Sequence, residues 1–218
     1  MVPMNQTASL LSTEKWNELD QQLRRVDEDR WLSSRYAPRD RRRALVCLYL
    51  LNYELARIRV AVKEIGLRPI RFQWWRDNLS ELGGSKDMKT DLLAGLRAAA
   101  EDELISAAAL TQLVDGHERA LEQGDRALEP EAHLAAKAAR ILVPAHGWRD
   151  AIDQLAPHVA ALRRGENVGF GPVVPKAPSQ IRPAIAHFRL RRPLAKSETQ
   201  NAMLRRICVL LAVQSGRV

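Results

Sequence analysis

The chain has 218 residues, 46% of them hydrophobic and 28% charged, which is typical of a soluble globular protein with one large or two small domains. A formal net charge of +8 fits an arginine-rich solvated surface, an anionic membrane surface or a phosphate-bearing ligand. Nucleic acid is another common partner of basic proteins, but the sequence has no zinc-finger or RNP motif, so we expect no nucleic-acid partner.

The N-terminal residues lack a charged region followed by an apolar core, so no signal peptide is expected. No run approaches 18 apolar residues, and we therefore expect no membrane-spanning helix. Cys47 and Cys208 are expected to stay reduced, and two cysteines alone cannot form a zinc site. These features predict a cytoplasmic protein, with peripheral association at a membrane left open.

Apolar residues recur at helical spacing through most of the chain, and no β-branched run alternates with a period of two. The sequence therefore predicts an all-α fold, with a flexible N-terminus over residues 1–11 and a single helical domain over residues 12–218. Three glycines and three prolines predict a loop over residues 165–178. Apart from the longest helix, the predicted helices are 12–26, 29–36, 70–82, 91–99, 105–123, 130–142, 148–162, 180–191 and 197–213.

The longest predicted helix carries one apolar face of residues spaced by three and four. These residues are Leu45, Leu48, Leu51, Leu55, Ile58 and Val62. Pro38 can open this helix, because the N–H that proline lacks would be unpaired in a first turn anyway. Gly66 and Pro69 mark its end. We expect this helix and the tryptophan-rich helix that follows it to organise the core.

Three motifs follow one another over these two helices and the residues before them. They are DRWL at residues 29–32, RRRALVCLYLLNYELARIR at 41–59 and IRFQWWRDNLSEL at 70–82. This ordered set resembles the N-terminal half of squalene/phytoene synthase family proteins. It is most similar to a branch of short, divergent members that includes a mitochondrial complex I assembly factor. The resemblance implies an isoprenoid-synthase-like helical bundle around an apolar cavity.

The resemblance also implies a magnesium site that this sequence does not reproduce. Family enzymes join two prenyl diphosphates and use Mg²⁺ ions held by aspartate-rich clusters on two facing helices. The first cluster corresponds to the end of the long helix, where the chain has no carboxylate but Ala56, Arg57, Ile58, Arg59 and Val60. Tyr53 stands where the family has a basic side chain. The residues therefore indicate that metal binding is lost, and Mg²⁺ is expected only if the protein is an enzyme.

Few acidic residues remain as candidates for catalysis. Asp77 and Glu81 share one face of a predicted helix, and Glu54 is the only acid near the altered cluster. Asp150 and Asp153 are the candidates for a second metal-binding cluster, although the flanking residues of the family pattern are missing. His117 lies between Asp115 and Glu118 and is interpreted as a surface residue.

Basic and aromatic side chains supply candidates for ligand binding. An arginine cluster near a helix N-terminus gains nothing from the helix dipole, which favours an anionic partner. The residues predicted to bind a diphosphate or another anion are Arg42, Arg43, Arg57 and Arg76. The residues predicted to line an apolar pocket are Tyr49, Tyr53, Trp74 and Trp75.

Three functions are consistent with these features. The first is a non-catalytic relative of squalene/phytoene synthases that binds an isoprenoid or lipid ligand or helps to assemble a respiratory complex. The second is a magnesium-dependent prenyltransferase that condenses farnesyl or geranylgeranyl diphosphate head to head. The third is a membrane-surface protein that uses its arginine clusters alone. The missing carboxylates favour the first function, with a lipid or a respiratory-complex protein as partner.

Overall fold

The computed structural model describes residues 11–62, 64–84, 87–122, 130–195 and 201–218, and within these ranges the chain is all-α. Residues 1–10, for which flexibility is predicted, lie outside the described ranges. The α-helices, numbered α1 to α11, are Thr13–Val26, Glu28–Ser34, Arg39–Ala61, Leu67–Ser80, Asp91–Glu101, Ala107–Glu122, Glu131–Leu142, Arg149–Arg163, Arg182–Ile185, Arg191–Ala195 and Ala202–Ser215. Short 3₁₀ segments lie between these helices at Glu81–Gly83, Ser179–Ile181 and Ala186–Leu190.

Helix α3 forms the centre of the molecule and contacts α1, α2, α4, α5, α6 and α7. Every residue from 44 to 51 is buried, so this part of α3 has no solvent-facing side. The predicted apolar face is buried from Leu45 to Ile58, and between residues 44 and 51 the other sides of the helix are buried as well. The reason is that neighbouring helices surround α3, and a helix enclosed on all sides is apolar around its whole circumference.

Asp27 joins α1 to α2 and acts at both helix ends. Its backbone N–H donates to the Leu23 carbonyl oxygen at 2.8 Å, and its carboxylate accepts from the Arg30 N–H at 3.2 Å. A carboxylate in this position satisfies a donor that the first turn of α2 would otherwise leave unpaired. Asp27 thereby fixes the change in direction between the two helices.

The connection between α3 and α4 differs in detail from the prediction. Helix α3 ends at Ala61, five residues before Gly66, and α4 begins at Leu67. Pro69 lies in the first turn of α4. Proline is tolerated there because an N–H at this position would have no partner within the helix. Helix α4 then packs against α6.

Helix α5 approaches α3 closely at Gly95. A Cβ atom placed on Gly95 would lie 2.5 Å from the Cys47 sulfur and 3.3 Å from the Trp16 ring. The absence of a side chain at this position therefore sets the distance between α5 and α3, and the sulfur of Cys47 fills the space.

The C-terminal part of the chain returns to the N-terminal helices. The loop predicted over residues 165–178 is confirmed over residues 166–178, while the helix predicted over residues 180–191 is divided into short helical segments. A tertiary hydrogen bond holds this region to α2: the Ser33 hydroxyl donates to the Pro183 carbonyl oxygen at 2.8 Å. Helix α11 packs against α2, where Arg205 Nε donates to Asp29 at 2.9 Å.

In the part of the chain that the structure describes, every helix is too short or too polar to span a bilayer.

Candidate functional site

Two cavities lie on opposite faces of the C-terminal half of α3. The first, which we name the basic cavity, has a volume of about 230 Å³ and is lined on α3 by Asn52, Tyr53, Ala56 and Arg59. The second, which we name the α3 groove, has a volume of about 890 Å³ and is lined on α3 by Glu54, Arg57, Ile58 and Ala61, and just after the helix by Val62. The two sets face opposite sides because successive residues of an α-helix turn by about 100°.

A buried cluster of charged groups forms one wall of the basic cavity. Arg30 on α2 is 5% exposed and makes ion pairs with both Asp27 and Glu131. Glu131 lies on α7, 101 positions further along the chain than Arg30. Arg163 from the end of α8 donates to Asp27 at 2.9 Å. His187 Nε2 lies 3.6 Å from Glu131. Arg30 thus links α2 to α7 through the interior of the protein.

Both buried carboxylates of this cluster are held in their charged form. Burial alone would raise the pKa of Glu131, but the positive charge of Arg30 and the neighbouring His187 ring lower the pKa to about 2. Burial also opposes ionisation of Asp27, yet Arg163 and Arg30 hold the pKa of that carboxyl well below its usual range. Neither group is therefore available as a general acid near neutral pH.

His117 lies in the wall of the basic cavity rather than on the surface. The prediction of a surface position is wrong, because the ring is 2% exposed and packs where α6 faces α3. Its Nε2 lies 3.0 Å from Asn52 Oδ1. Burial and the nearby charges of Arg59 and Arg30 lower the pKa of His117 to about 3. The ring is therefore neutral at physiological pH.

His117 makes the free energy of unfolding decrease as the pH falls below neutral. Between pH 6.5 and pH 5 the unfolded chain protonates His117, whereas the folded chain, with a pKa of about 3, does not. We expect the free energy of unfolding to fall over this interval, with His117 contributing between about 1 and 2 kcal/mol of the decrease. His117→Gln removes this contribution and keeps a donor for Asn52. Urea unfolding at several pH values measures how the free energy of unfolding changes with pH in the variant and in the wild type. An equal pH dependence in both would contradict the contribution assigned to His117.

The residues around the end of α3 do not fit the Mg²⁺ ions that family enzymes use. Ala56 and Arg59 line the basic cavity, Arg57 and Ile58 line the α3 groove, and Val60 is 86% exposed. The carboxylates of the cavity, Asp27 and Glu131, are already paired with Arg30. Among the residues that the structure describes, no group of three or more histidine, cysteine or acidic side chains could hold a metal ion.

The structure does not bring the candidate catalytic and metal-binding acids together. Asp77 accepts a hydrogen bond from Gln73 at 2.7 Å, and Glu54 pairs with Arg57 at 3.3 Å. Glu81 begins the 3₁₀ segment after α4, and its carbonyl oxygen accepts from Arg97 at 3.3 Å.

Asp150 and Asp153 lie on the exposed first turns of α8, where Arg149 donates to Asp153 at 2.7 Å. Ten residues separate Asp153 from Arg163, which is about 15 Å along the helix axis. This places the two acids at the end of α8 that is far from the basic cavity.

The predicted anion-binding arginines have different surroundings. Arg42 donates to the carbonyl oxygens of Arg35 and Ala37, both at 2.9 Å, and Arg43 stacks over the Trp16 ring at 4.7 Å. Both line a separate cavity of about 130 Å³ at the start of α3.

Arg76 joins α4 to α6 by ion pairs, donating through Nε to Asp115 at 2.9 Å and also pairing with Glu118. Its guanidinium is therefore used in helix packing. Arg57 is the member of the predicted set that lines the α3 groove.

The predicted aromatic pocket residues are divided among three places. Trp74 and Trp75 line the α3 groove and pack edge to face, with ring centroids 5.0 Å apart. Tyr53 lines the basic cavity. Tyr49 is buried in the core instead, where its hydroxyl donates to the Ala184 carbonyl at 3.1 Å and holds the C-terminal segment to α3.

The ion-pair cluster of Asp27, Arg30, Glu131 and Arg163 was not predicted from the sequence. Charged residues are rarely buried unless they are paired, and the sequence alone does not show which acid meets which arginine. A usable signal was present, because Arg30 belongs to the DRWL motif that carries the family resemblance.

Comparison with known proteins agrees with this architecture. Searches of curated proteins and of solved structures find no match. The family model for squalene/phytoene synthase matches residues 23–135, just over half of the chain, from the end of α1 into α7. The matched region contains α3 and three members of the charged cluster at the basic cavity, Asp27, Arg30 and Glu131. Given this match and an all-α bundle of the isoprenoid-synthase type, the chain belongs to the squalene/phytoene synthase family.

Proposed function

We propose that this protein is a non-catalytic member of its family that binds an isoprenoid or a similar lipid chain in the α3 groove. The observation that carries the proposal is the chemistry at the end of α3. The stretch that the resemblance matches to the first metal-binding cluster of family enzymes holds Ala56, Arg57, Ile58, Arg59 and Val60, and no replacement set of acids converges nearby in the described part of the chain. A diphosphate leaving group would lack the metal ions that stabilise its departure.

The walls of the α3 groove support binding of an apolar chain. They include Leu19 from α1, Ile58 from α3 and the two tryptophans of α4. A volume of about 890 Å³ lies within the usual range for small-molecule sites, which are mostly apolar with a few polar groups. Arg57 and Arg71 are exposed at the groove and can meet a polar or anionic head group.

The resemblance to the divergent branch extends the proposal to a cellular role. A lipid-binding member of this branch would act in assembly of a respiratory complex, in the cytoplasm or at a membrane surface. This part of the proposal is argued from analogy within the family.

Calorimetric titration of the purified protein with farnesyl diphosphate and with farnesol tests the proposal. We expect both ligands to bind with the same affinity in Mg²⁺ and in EDTA, because no metal takes part. Ile70→Glu places a charge on the groove wall and should weaken both affinities at least about tenfold, since burying an unpaired charge beside an apolar chain is unfavourable.

Ile65→Glu is the matched control for this titration. Ile65 is 76% exposed and does not belong to the groove lining, whereas Ile70 is 63% exposed and does. The control should bind like the wild type. Binding that requires Mg²⁺, or formation of a condensed product, would instead support the prenyltransferase.

A further inference from the structure

We propose that the turn between α3 and α4 docks on an anionic lipid bilayer and places the mouth of the α3 groove against the membrane. We name this surface, residues 60–71, the docking turn. The role given to the groove rests on the lipid-binding proposal, and the bilayer is added as the source of the ligand. Docking itself can be measured without any groove ligand.

The docking turn exposes a group of large apolar side chains. Val60 and Ile65 are each more than three-quarters exposed, and Leu67 and Ile70 are exposed as well. All four lie within eleven positions of one turn. Single exposed apolar side chains are ordinary on a protein surface, but a concentrated group indicates a binding surface.

Hydrogen bonds give the docking turn a fixed shape. The backbone N–H groups of Leu67 and Arg68 donate to the carbonyl oxygens of Glu64 and Ile65 at 3.1 and 3.2 Å, and Arg68 Nε donates to the Val62 carbonyl oxygen at 2.9 Å. The apolar side chains therefore project from an ordered turn. A bilayer suits such projections because fluid lipid packs around them, whereas a protein partner would need a complementary concave surface.

The charge of the docking turn is complementary to anionic lipid. Residues 60–71 include three basic residues and one acid. Arg68 and Arg71 form no ion pair with any residue that the structure describes, and Arg71 is exposed. Glu54 and Asp91 on the neighbouring groove wall are each already paired with a basic side chain. Basic residues beside exposed apolar ones are the combination that binds anionic membrane surfaces.

The docking turn is also part of the groove wall. Ala61, Val62, Leu67, Ile70 and Arg71 all line the α3 groove. A docked turn therefore places this end of the groove at the lipid surface. Moving apolar surface into water is unfavourable, so a prenyl chain that passes directly from the bilayer into the groove avoids that cost.

Cosedimentation with phospholipid vesicles tests the docking. The purified protein is mixed with phosphatidylcholine vesicles that contain or lack phosphatidylglycerol, at low and at high salt. We expect binding at least about fivefold tighter with phosphatidylglycerol, because one basic residue near an anionic surface already contributes about that factor. High salt should reduce this difference, since it screens the charges.

Two variants test the residues of the docking turn. Ile65→Glu should weaken binding to phosphatidylglycerol vesicles at least about tenfold, because it places a carboxylate among the apolar side chains at an anionic surface. Arg71→Met should weaken this binding about fivefold and leave binding to pure phosphatidylcholine nearly unchanged.

Val173→Glu is the matched control for Ile65→Glu. Val173 is 99% exposed but lies in the loop after α8, outside the docking turn. This control should bind vesicles like the wild type, and circular dichroism should show that all three variants are folded. No vesicle binding, equal binding with and without phosphatidylglycerol, or an equal loss in Ile65→Glu and Val173→Glu would overturn the docking proposal.

Titration with farnesol in solution keeps the two proposals separate. Ile65 does not line the groove, so Ile65→Glu should bind farnesol like the wild type while losing vesicle binding. Farnesol binding without vesicle binding would overturn docking and leave the lipid-binding proposal standing. Vesicle binding that depends on Ile65, without farnesol binding, would support the docking turn and contradict lipid binding in the groove.

Discussion

Replacing Arg30 with methionine is expected to lower the free energy of unfolding at pH 7 by about 3–5 kcal/mol. The substitution keeps an unbranched side chain but leaves Asp27 and Glu131 buried without their shared counter-charge. Removing one partner of a buried ion pair is costly because the remaining charge is poorly solvated. Urea unfolding monitored by circular dichroism gives the difference.

Arg149→Met is the matched control for Arg30→Met. Arg149 also pairs with an acid, Asp153, but both side chains are about half exposed. The control should change stability by no more than about 0.5 kcal/mol, as is usual for exposed pairs at this helical spacing. Adding Glu131→Gln to Arg30→Met should restore part of the lost stability. A loss below about 1 kcal/mol in Arg30→Met would show that the cluster does not stabilise the fold.

Replacing Gly95 with alanine is expected to destabilise the protein by about 1–3 kcal/mol, although alanine favours a helix over glycine by about 1 kcal/mol. The added Cβ would lie 2.5 Å from the sulfur of Cys47, which is fully buried, and 3.3 Å from the Trp16 ring. The clash therefore outweighs the gain in helix propensity. Thermal and urea unfolding both measure the loss.

A double-mutant cycle separates the clash from other effects at Gly95. Cys47→Ala removes the sulfur, so Gly95→Ala should cost less in that background than in the wild type. Gly66→Ala provides the control, because a Cβ at Gly66 meets nothing within 4 Å and the backbone φ there is −65°. That control should leave stability nearly unchanged. An equal cost of Gly95→Ala in both backgrounds would exclude Cys47 as the cause.

Local patterns predicted most of the helices and much of the core. Trp16, Leu19 and Leu23 are spaced by three and four, and all three are buried in α1 as that spacing indicates. Ser12 caps this helix by accepting from the Lys15 N–H, which its side-chain chemistry also indicates. Such features depend on residues that are close in the sequence.

The features that the sequence did not predict depend on residues that are far apart. His117 is buried because α6 packs against α3, where its ring meets Asn52, a residue 65 positions away. The pairing of Arg76 with Asp115 bridges 39 positions and turns a predicted ligand-binding arginine into a packing residue. Helical periodicity shows which face of a helix is apolar, but it does not identify the helices that pack on the other faces.

The attachment of α11 to α2 has a consequence for the protein during its synthesis. Asp29 meets Arg205 across 176 positions, and Ser33 meets the Pro183 carbonyl across 150. At a translation rate of about 5–20 residues per second, α2 is made about 9–35 s before its partner on α11. Throughout that interval Asp29 and Ser33 of the nascent α2 lack their C-terminal partners. The growing chain is therefore an incompletely packed helical bundle that chaperones and proteases can reach at the ribosome.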